Sequence, residues 1–186
     1  MHKMKKKALK VMLSVLVAML PMGLFAQQNT LPLIDEISEI EDSDGNMSIA
    51  VFAYNVDGNT RIYLNVGPLG IGDEVVQVQF DPVYMLYIPL GETFTEAMET
   101  LVRMQELFRE TPGTVTEYEG NFAPFVPTEK LETVRVTLRK VLFSRKLEFA
   151  LERDGFIRAT YVSKSDFNSL LFNLKLNSKL YTKRYL

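Results

Sequence analysis

Apolar residues recur along this chain with two periods, two residues in some stretches and three to four in others, and the alternation predicts strands and helices in turn. Met47 to Tyr54 and Thr60 to Val66 are rich in β-forming residues, and Asp57-Gly58 between them is a hairpin signal, because a type I′ turn needs positive φ at both central positions. Gly67 to Gly72 reads as a loop. Glu74 to Phe80 alternates over Val76, Val78 and Phe80, and Val83 to Ile88 continues the apolar run beyond Pro82. Proline cannot donate to a ladder, so Pro82 marks a bulge, a turn or a sheet edge. Thr93 and Glu96 stand at capping-box spacing, and Phe94, Ala97, Met98, Leu101, Met104, Leu107 and Phe108 recur at helical intervals until Thr111-Pro112-Gly113 ends the pattern.

Thr114 to Tyr118 reads as a short strand and Gly120 to Pro127 as an irregular aromatic loop. Val134, Val136 and Leu138 alternate with polar residues, as do Leu147, Phe149 and Leu151, and Asp154-Gly155 turns the chain into Phe156 to Val162. A second helix starts near Ser163, with Asp166 at the capping-box offset, and buries Phe167, Leu170, Leu171 and Leu174. Beyond it, Leu176, Leu180 and Tyr181 fit neither one helical face nor one strand face, so residues 177–186 receive no assignment. The pattern predicts an α+β fold: a mainly antiparallel sheet of β-hairpins with two helices packed on one face. Phe52-Ala53, Asp57-Gly58 and Arg61 recur at identical offsets as Phe149-Ala150, Asp154-Gly155 and Arg158. That recurrence raises the idea of two related hairpin-plus-helix halves, 47–113 and 114–186.

The N-terminus changes the picture. Lys3, Lys5, Lys6, Lys7 and Lys10 precede or open an apolar run from Ala8 to Leu20, and Ala26 offers a small residue for cleavage. This is the form of a secretory signal, residues 1–26, and implies export to the periplasm, the outer surface or the exterior of a bacterial cell. An uncut anchor is the competing reading, but a spanning helix needs about 20 apolar residues and Pro21 interrupts this one. No other stretch predicts a transmembrane segment in the mature form. Residues 27–46 are crowded with Asp35, Glu36, Glu39, Glu41, Asp42 and Asp44, which predicts a solvated acidic leader ahead of a single domain at 47–186.

Cleavage would also remove His2, the only histidine, from a chain without cysteine or tryptophan. Serine-histidine and cysteine-histidine catalysis, zinc, copper, haem and iron-sulfur ligation, disulfides and lipid-modified cysteine are then all outside the repertoire. No cofactor and no metal site is expected. Five of the 21 basic residues and none of the 23 acidic ones lie in the signal, so the mature net charge is −7. Residues 27–119 carry about −14 of formal charge and 120–186 about +7, which sets up attraction within the molecule or between molecules. The negative total argues against nucleic acid as a partner.

Phe122, Pro124 and Phe125 form the most suggestive contact motif: two phenylalanines stiffened by prolines lose little entropy on binding. Tyr84 and Tyr87 on a strand-like run offer a further platform for a protein, peptide or carbohydrate. Gly67 to Gly72 is followed by Asp73 and Glu74 rather than a helix, which is unsuited to phosphate. The leader lacks the EF-hand spacing. Lys175, Lys179 and Lys183 align at helical spacing as a solvated or anion-facing row. Asp81, Glu152 and Asp154 are nominal carboxylates for a glycosidase, and Ser163-Lys164-Ser165 lacks the spacing of serine-lysine acylating enzymes. The expectation is an exported, non-catalytic binding or protein-interaction module of the bacterial envelope or exterior. The alternatives are a small carboxylate-dependent hydrolase and a self-associating structural protein of the envelope.

Overall fold

Strand patterning of the kind just read organises the computed structural model, which describes residues 33–41, 47–56, 59–67, 70–71, 85–123, 127–128, 130–153 and 155–186. Among these residues the strands are β1 (Leu33–Glu41), β2 (Met47–Val56), β3 (Asn59–Val66), β4 (Gly70–Ile71), β5 (Met85–Gly91), β6 (Val115–Ala123), β7 (Glu132–Val141), β8 (Ser144–Arg153) and β9 (Phe156–Ser163). The helices are α1 (Phe94–Glu106), continued by a 3₁₀ turn at Leu107–Arg109, α2 (Lys164–Leu176) and α3 (Ser178–Arg184). All strand pairs are antiparallel, in the order β1-β2-β3-β5-β6-β7-β8-β9-β4. The class is α+β, with three helices where two were expected.

The sheet curls. Only four residue steps separate Val66 at the end of β3 from Gly70, which pairs with Ala159 of β9, and four residues span at most about 14 Å. The end of β3 and the far edge strand therefore lie close together. The bend passes through β6. Its first six residues, Val115–Gly120, pair with β7, and Asn121–Ala123 pair with Met85–Tyr87 of β5. Gly120 stands at the hand-over, where a Cβ would lie 2.6 Å from Val134 Cγ2 and 3.1 Å from the Tyr87 carbonyl oxygen.

Inside the curl, alternate strand residues such as Val51, Leu64, Leu86, Val134, Phe149 and Val162 meet Leu101, Met104 and Phe108 of the first helical segment and Phe167, Leu170 and Leu174 of α2 in one core. Helix α2 packs on β1 and β2 as well as on β8 and β9, so the sheet wraps it. Both starts are capped as the sequence predicts. Thr93 Oγ1 accepts from Glu96 N (3.3 Å) while Glu96 Oε2 accepts from Thr93 N (3.1 Å), and Ser163 Oγ accepts from Asp166 N (3.1 Å). Ser48 Oγ donates to Asp166 Oδ2 at 3.2 Å, tying β2 to the cap of α2.

Four expectations need correction. Residues 33–41 of the predicted leader form edge strand β1. Ile37 and Ile40 stand three apart, against the two-residue period, and a bulge between Glu36 and Ser38 lets both reach the core. Gly120–Ala123, expected in a loop, continue β6. Residues 178–184, left unassigned, are helix α3. The proposed internal repeat also fails at the level of faces: Phe52 and Arg61 belong to the outer face, whereas their counterparts Phe149 and Arg158 point inward, so the likeness is confined to the turns. The signal, residues 1–26, and the predicted strand at 74–80 lie outside the described residues. No helix among the described residues is long and apolar enough to cross a membrane.

The C-terminus closes the structure. Tyr181 Oη donates to the Ile37 carbonyl (2.8 Å), Tyr185 Oη donates to Asp35 Oδ2, Arg184 Nη2 pairs with the same carboxylate (2.7 Å), and the Tyr185 carbonyl accepts from Phe94 N (3.0 Å). Burial, then the bond to Asp35, pushes the Tyr185 hydroxyl well above the usual phenol range.

Two measurements check these constraints. Gly120→Ala is expected to lower unfolding stability by about 1–3 kcal/mol, because one neighbour of the new methyl is backbone and cannot rotate away; a denaturant midpoint equal to wild type would contradict it. For Tyr185 the folded state holds its proton more tightly than the unfolded state, so its contribution is complete below the unfolded phenol value of about 10 and is lost as pH rises above it. Tyr185→Phe should therefore cost roughly 1–2 kcal/mol at neutral pH. It should also make the alkaline fall in stability shallower, as read by melts across a pH series.

Candidate functional site

Of the contact residues singled out from sequence, Tyr87 and Phe122 stand on the paired strands β5 and β6, on opposite faces. Tyr84, Pro124 and Phe125 lie outside the described residues. Tyr87 is fully buried on the outer face, in cross-strand register between Asn65 of β3 and Asn121 of β6. It packs edge-on against Tyr54 with ring centres 6.0 Å apart, and Tyr54 meets Tyr63 in the same manner at 5.5 Å. Asn65 Nδ2 donates to Tyr54 Oη at 3.1 Å, and Thr128 Oγ1 donates to Asn121 Oδ1 at 2.9 Å. Asn65 Oδ1 and Asn121 Nδ2 are buried and have no hydrogen-bond partner among the described residues. Burial raises the Tyr54 and Tyr87 hydroxyls, which both stay protonated through the physiological range.

Phe122, one residue along β6, points the other way into the core. Two guanidinium groups lie over its ring, Arg153 at 4.7 Å and Arg158 at 5.0 Å from the centre. Arg153 is held by Glu132 and by the Phe122 carbonyl (3.4 Å). Tyr87 and Phe122 thus pack on opposite sides of the sheet. Of the nominal carboxylates, Glu152 sits 3.9 Å from Arg135 in an exposed ion pair, while Asp81 and Asp154 lie outside the described residues. Glu148 accepts from Arg139 Nη2 (2.8 Å) and Tyr161 Oη (2.8 Å). Burial raises its pKa, but these two bonds and the Arg139 charge outweigh burial and hold the carboxyl below its ordinary range. Among the described residues no three acid, histidine or cysteine side chains converge as a metal site would require.

A further exposed apolar surface is one that the pattern along the sequence concealed. Helix α2 is apolar on two sides. Phe167, Leu170, Leu171 and Leu174 enter the core, whereas Phe172 and Leu176, followed by Leu180 of α3, stand 66%, 72% and 60% exposed at four-residue spacing. Lys175, Lys179 and Lys183 run beside them, and no acidic residue occurs from Phe167 to Leu186. These three lysines make no ion pair among the described residues. Between α1 and α3 lies a groove of about 550 Å³ lined by Phe94, Met98, Val102, Arg103, Ser178 and Thr182. A second hollow of about 460 Å³ follows on α3 and includes Lys179, Lys183 and Leu186. The lysine row was legible in the sequence. The apolar row was not, since a helix with two apolar sides shows no single stripe.

Such a face can hold an extended or helical segment by apolar burial with cations at its margin. Comparison of the chain with protein families, with curated proteins and with solved structures finds no match to any of them.

Proposed function

We propose that this chain is an exported, non-catalytic interaction module that receives an apolar, acidic segment of a partner protein on its C-terminal helical face. The supporting observation is the exposed row Phe172, Leu176 and Leu180 beside a groove and three lysines that make no ion pair among the described residues. Large apolar side chains at regular spacing on the solvent side of a helix cost solubility and contribute nothing to the core, which favours a surface that is covered in use. Apolar anchors four residues apart match helix-in-groove recognition. The lysines select for acid in the partner and reject basic segments. The N-terminal pattern supports export, which sets the partner in the envelope or beyond it.

Self-association through the acidic and basic halves is the competing assembly. It is less favoured because charges of the two halves already meet within one molecule, as Asp35 and Arg184 do.

The reading is tested with a photoreactive residue at Leu176, and another at Thr133 on the exposed outer face of β7 as the control. Irradiation of intact cells should give a discrete protein adduct from position 176 and none from position 133. Leu176→Asp together with Leu180→Asp should abolish an adduct from position 172 while leaving the melting curve within about 0.5 kcal/mol of wild type, as for exposed positions. Equal adducts from both sites would reject the proposal, and an adduct consisting of a second copy would replace it with self-association.

A further inference from the structure

The hairpin joining β7 to β8 ends in a turn built against the ordinary rules. Val141 pairs with Ser144, leaving Leu142 and Phe143 as the two turn residues. Leu142 has φ 54°, the only non-glycine residue at positive φ among the described residues. A two-residue hairpin turn asks for such a φ at its first position and is normally given glycine there, because a branched side chain is strained in that conformation. The two turn side chains are 84% and 104% exposed, so they pack on nothing in the molecule. Behind them, Lys140 pairs with Arg145 and Arg139 with Lys146, two successive cross-strand pairs of like charge. Like charges opposite one another destabilise a hairpin.

Each of these features costs stability, and none is returned by the fold. Alternation places Lys140 and Arg145 on one face of the ribbon and Arg139 and Lys146 on the other, so cations collar the apolar tip. Glu148 offsets Arg139 alone. Arg145 donates to the carbonyls of Phe108 (2.6 Å) and Glu110 (3.3 Å), neutral acceptors that fix the side chain and leave its charge intact.

We propose that this tip inserts into the interfacial layer of an anionic phospholipid bilayer, with Leu142 and Phe143 entering the acyl boundary and the collar meeting the headgroups. A bilayer fits where a protein partner does not. A specific protein interface buries about 800 Å² on each side, far more than a convex two-residue turn presents. Lipid needs no shape complementarity, gains from each buried apolar side chain, and attracts each cation held near its surface. The lysine stems can lie along the tip while their ammonium groups stay at headgroup level. This contact involves a different element from the helical face and stands whether or not that face binds protein.

The chain contains no tryptophan, so a single one reports its own surroundings. Full chain carrying Phe143→Trp should show a blue-shifted, brighter emission with vesicles of phosphatidylcholine and phosphatidylglycerol, little change with phosphatidylcholine alone, and reversal in high salt. Phe172→Trp in the same vesicles should show no shift. Lys140→Glu with Lys146→Glu should weaken partitioning of the Phe143→Trp protein by about tenfold or more. Leu142→Gly relieves the turn, so it should raise the melting temperature yet weaken partitioning. The proposal is overturned if the Phe143→Trp emission stays that of an exposed indole with anionic vesicles, or if it shifts with protein concentration in their absence. It is equally overturned if only Phe172→Trp responds, or if Leu142→Gly partitions as well as its parent.

Discussion

The Ile37 carbonyl, the Asp35 carboxylate and the Phe94 amide lie at three places that a curled sheet would leave open, and the last turn of the chain meets all three. Edge strand β1 presents backbone groups and a line of acids, both poor material for a stable border. Tyr181 and Arg184 answer one need each, a donor for the carbonyl and a cation for the carboxylate. Tyr181 also packs its ring at a tilt against Phe94, 5.4 Å between centres, so the same residues fix the start of α1. With β1 and α1 held, α2 is enclosed on its inner side and α3 is kept at a defined angle beside it. The closure fixes the segment that carries Leu180 against β1 and the start of α1.

Charge shows the same logic at larger scale. The acidic first part and basic second part of the chain do meet within the molecule, at Asp35 and Arg184. The pairing is incomplete. Among the described residues, Lys175, Lys179 and Lys183, and Lys140, Arg145 and Lys146 of the β7–β8 hairpin, make no ion pair, although the chain holds more carboxylates than cations. Positive potential is therefore gathered at two separate places rather than averaged away, and each coincides with exposed apolar side chains.

Much of the fold was legible in the sequence because local chemistry dictated it. The hairpin β2–β3, the alternating strands β7 and β8, the capping pair Thr93 and Glu96, and the four core residues of α2 each follow from a signal spanning fewer than about 15 residues. What escaped depends on partners distant in sequence. Ile37 and Ile40 read as part of a charged leader until a bulge reconciles their spacing. Gly120 looks like the start of a loop, and only the approach of Val134 and the Tyr87 carbonyl explains why a strand needs glycine there. Phe122 and Tyr87 are aromatic residues of one neighbourhood, yet register alone decides that one faces the core and the other the outer cluster. Helix α3 is too short to form alone and owes its existence to the contacts of Tyr181 and Tyr185.

That closure joins residues 150 positions apart, since Asp35 waits for Tyr185. Closure over such a distance carries a large loop entropy and comes late in folding. Until then β1 has no cover and α2 has no outer wall on that side.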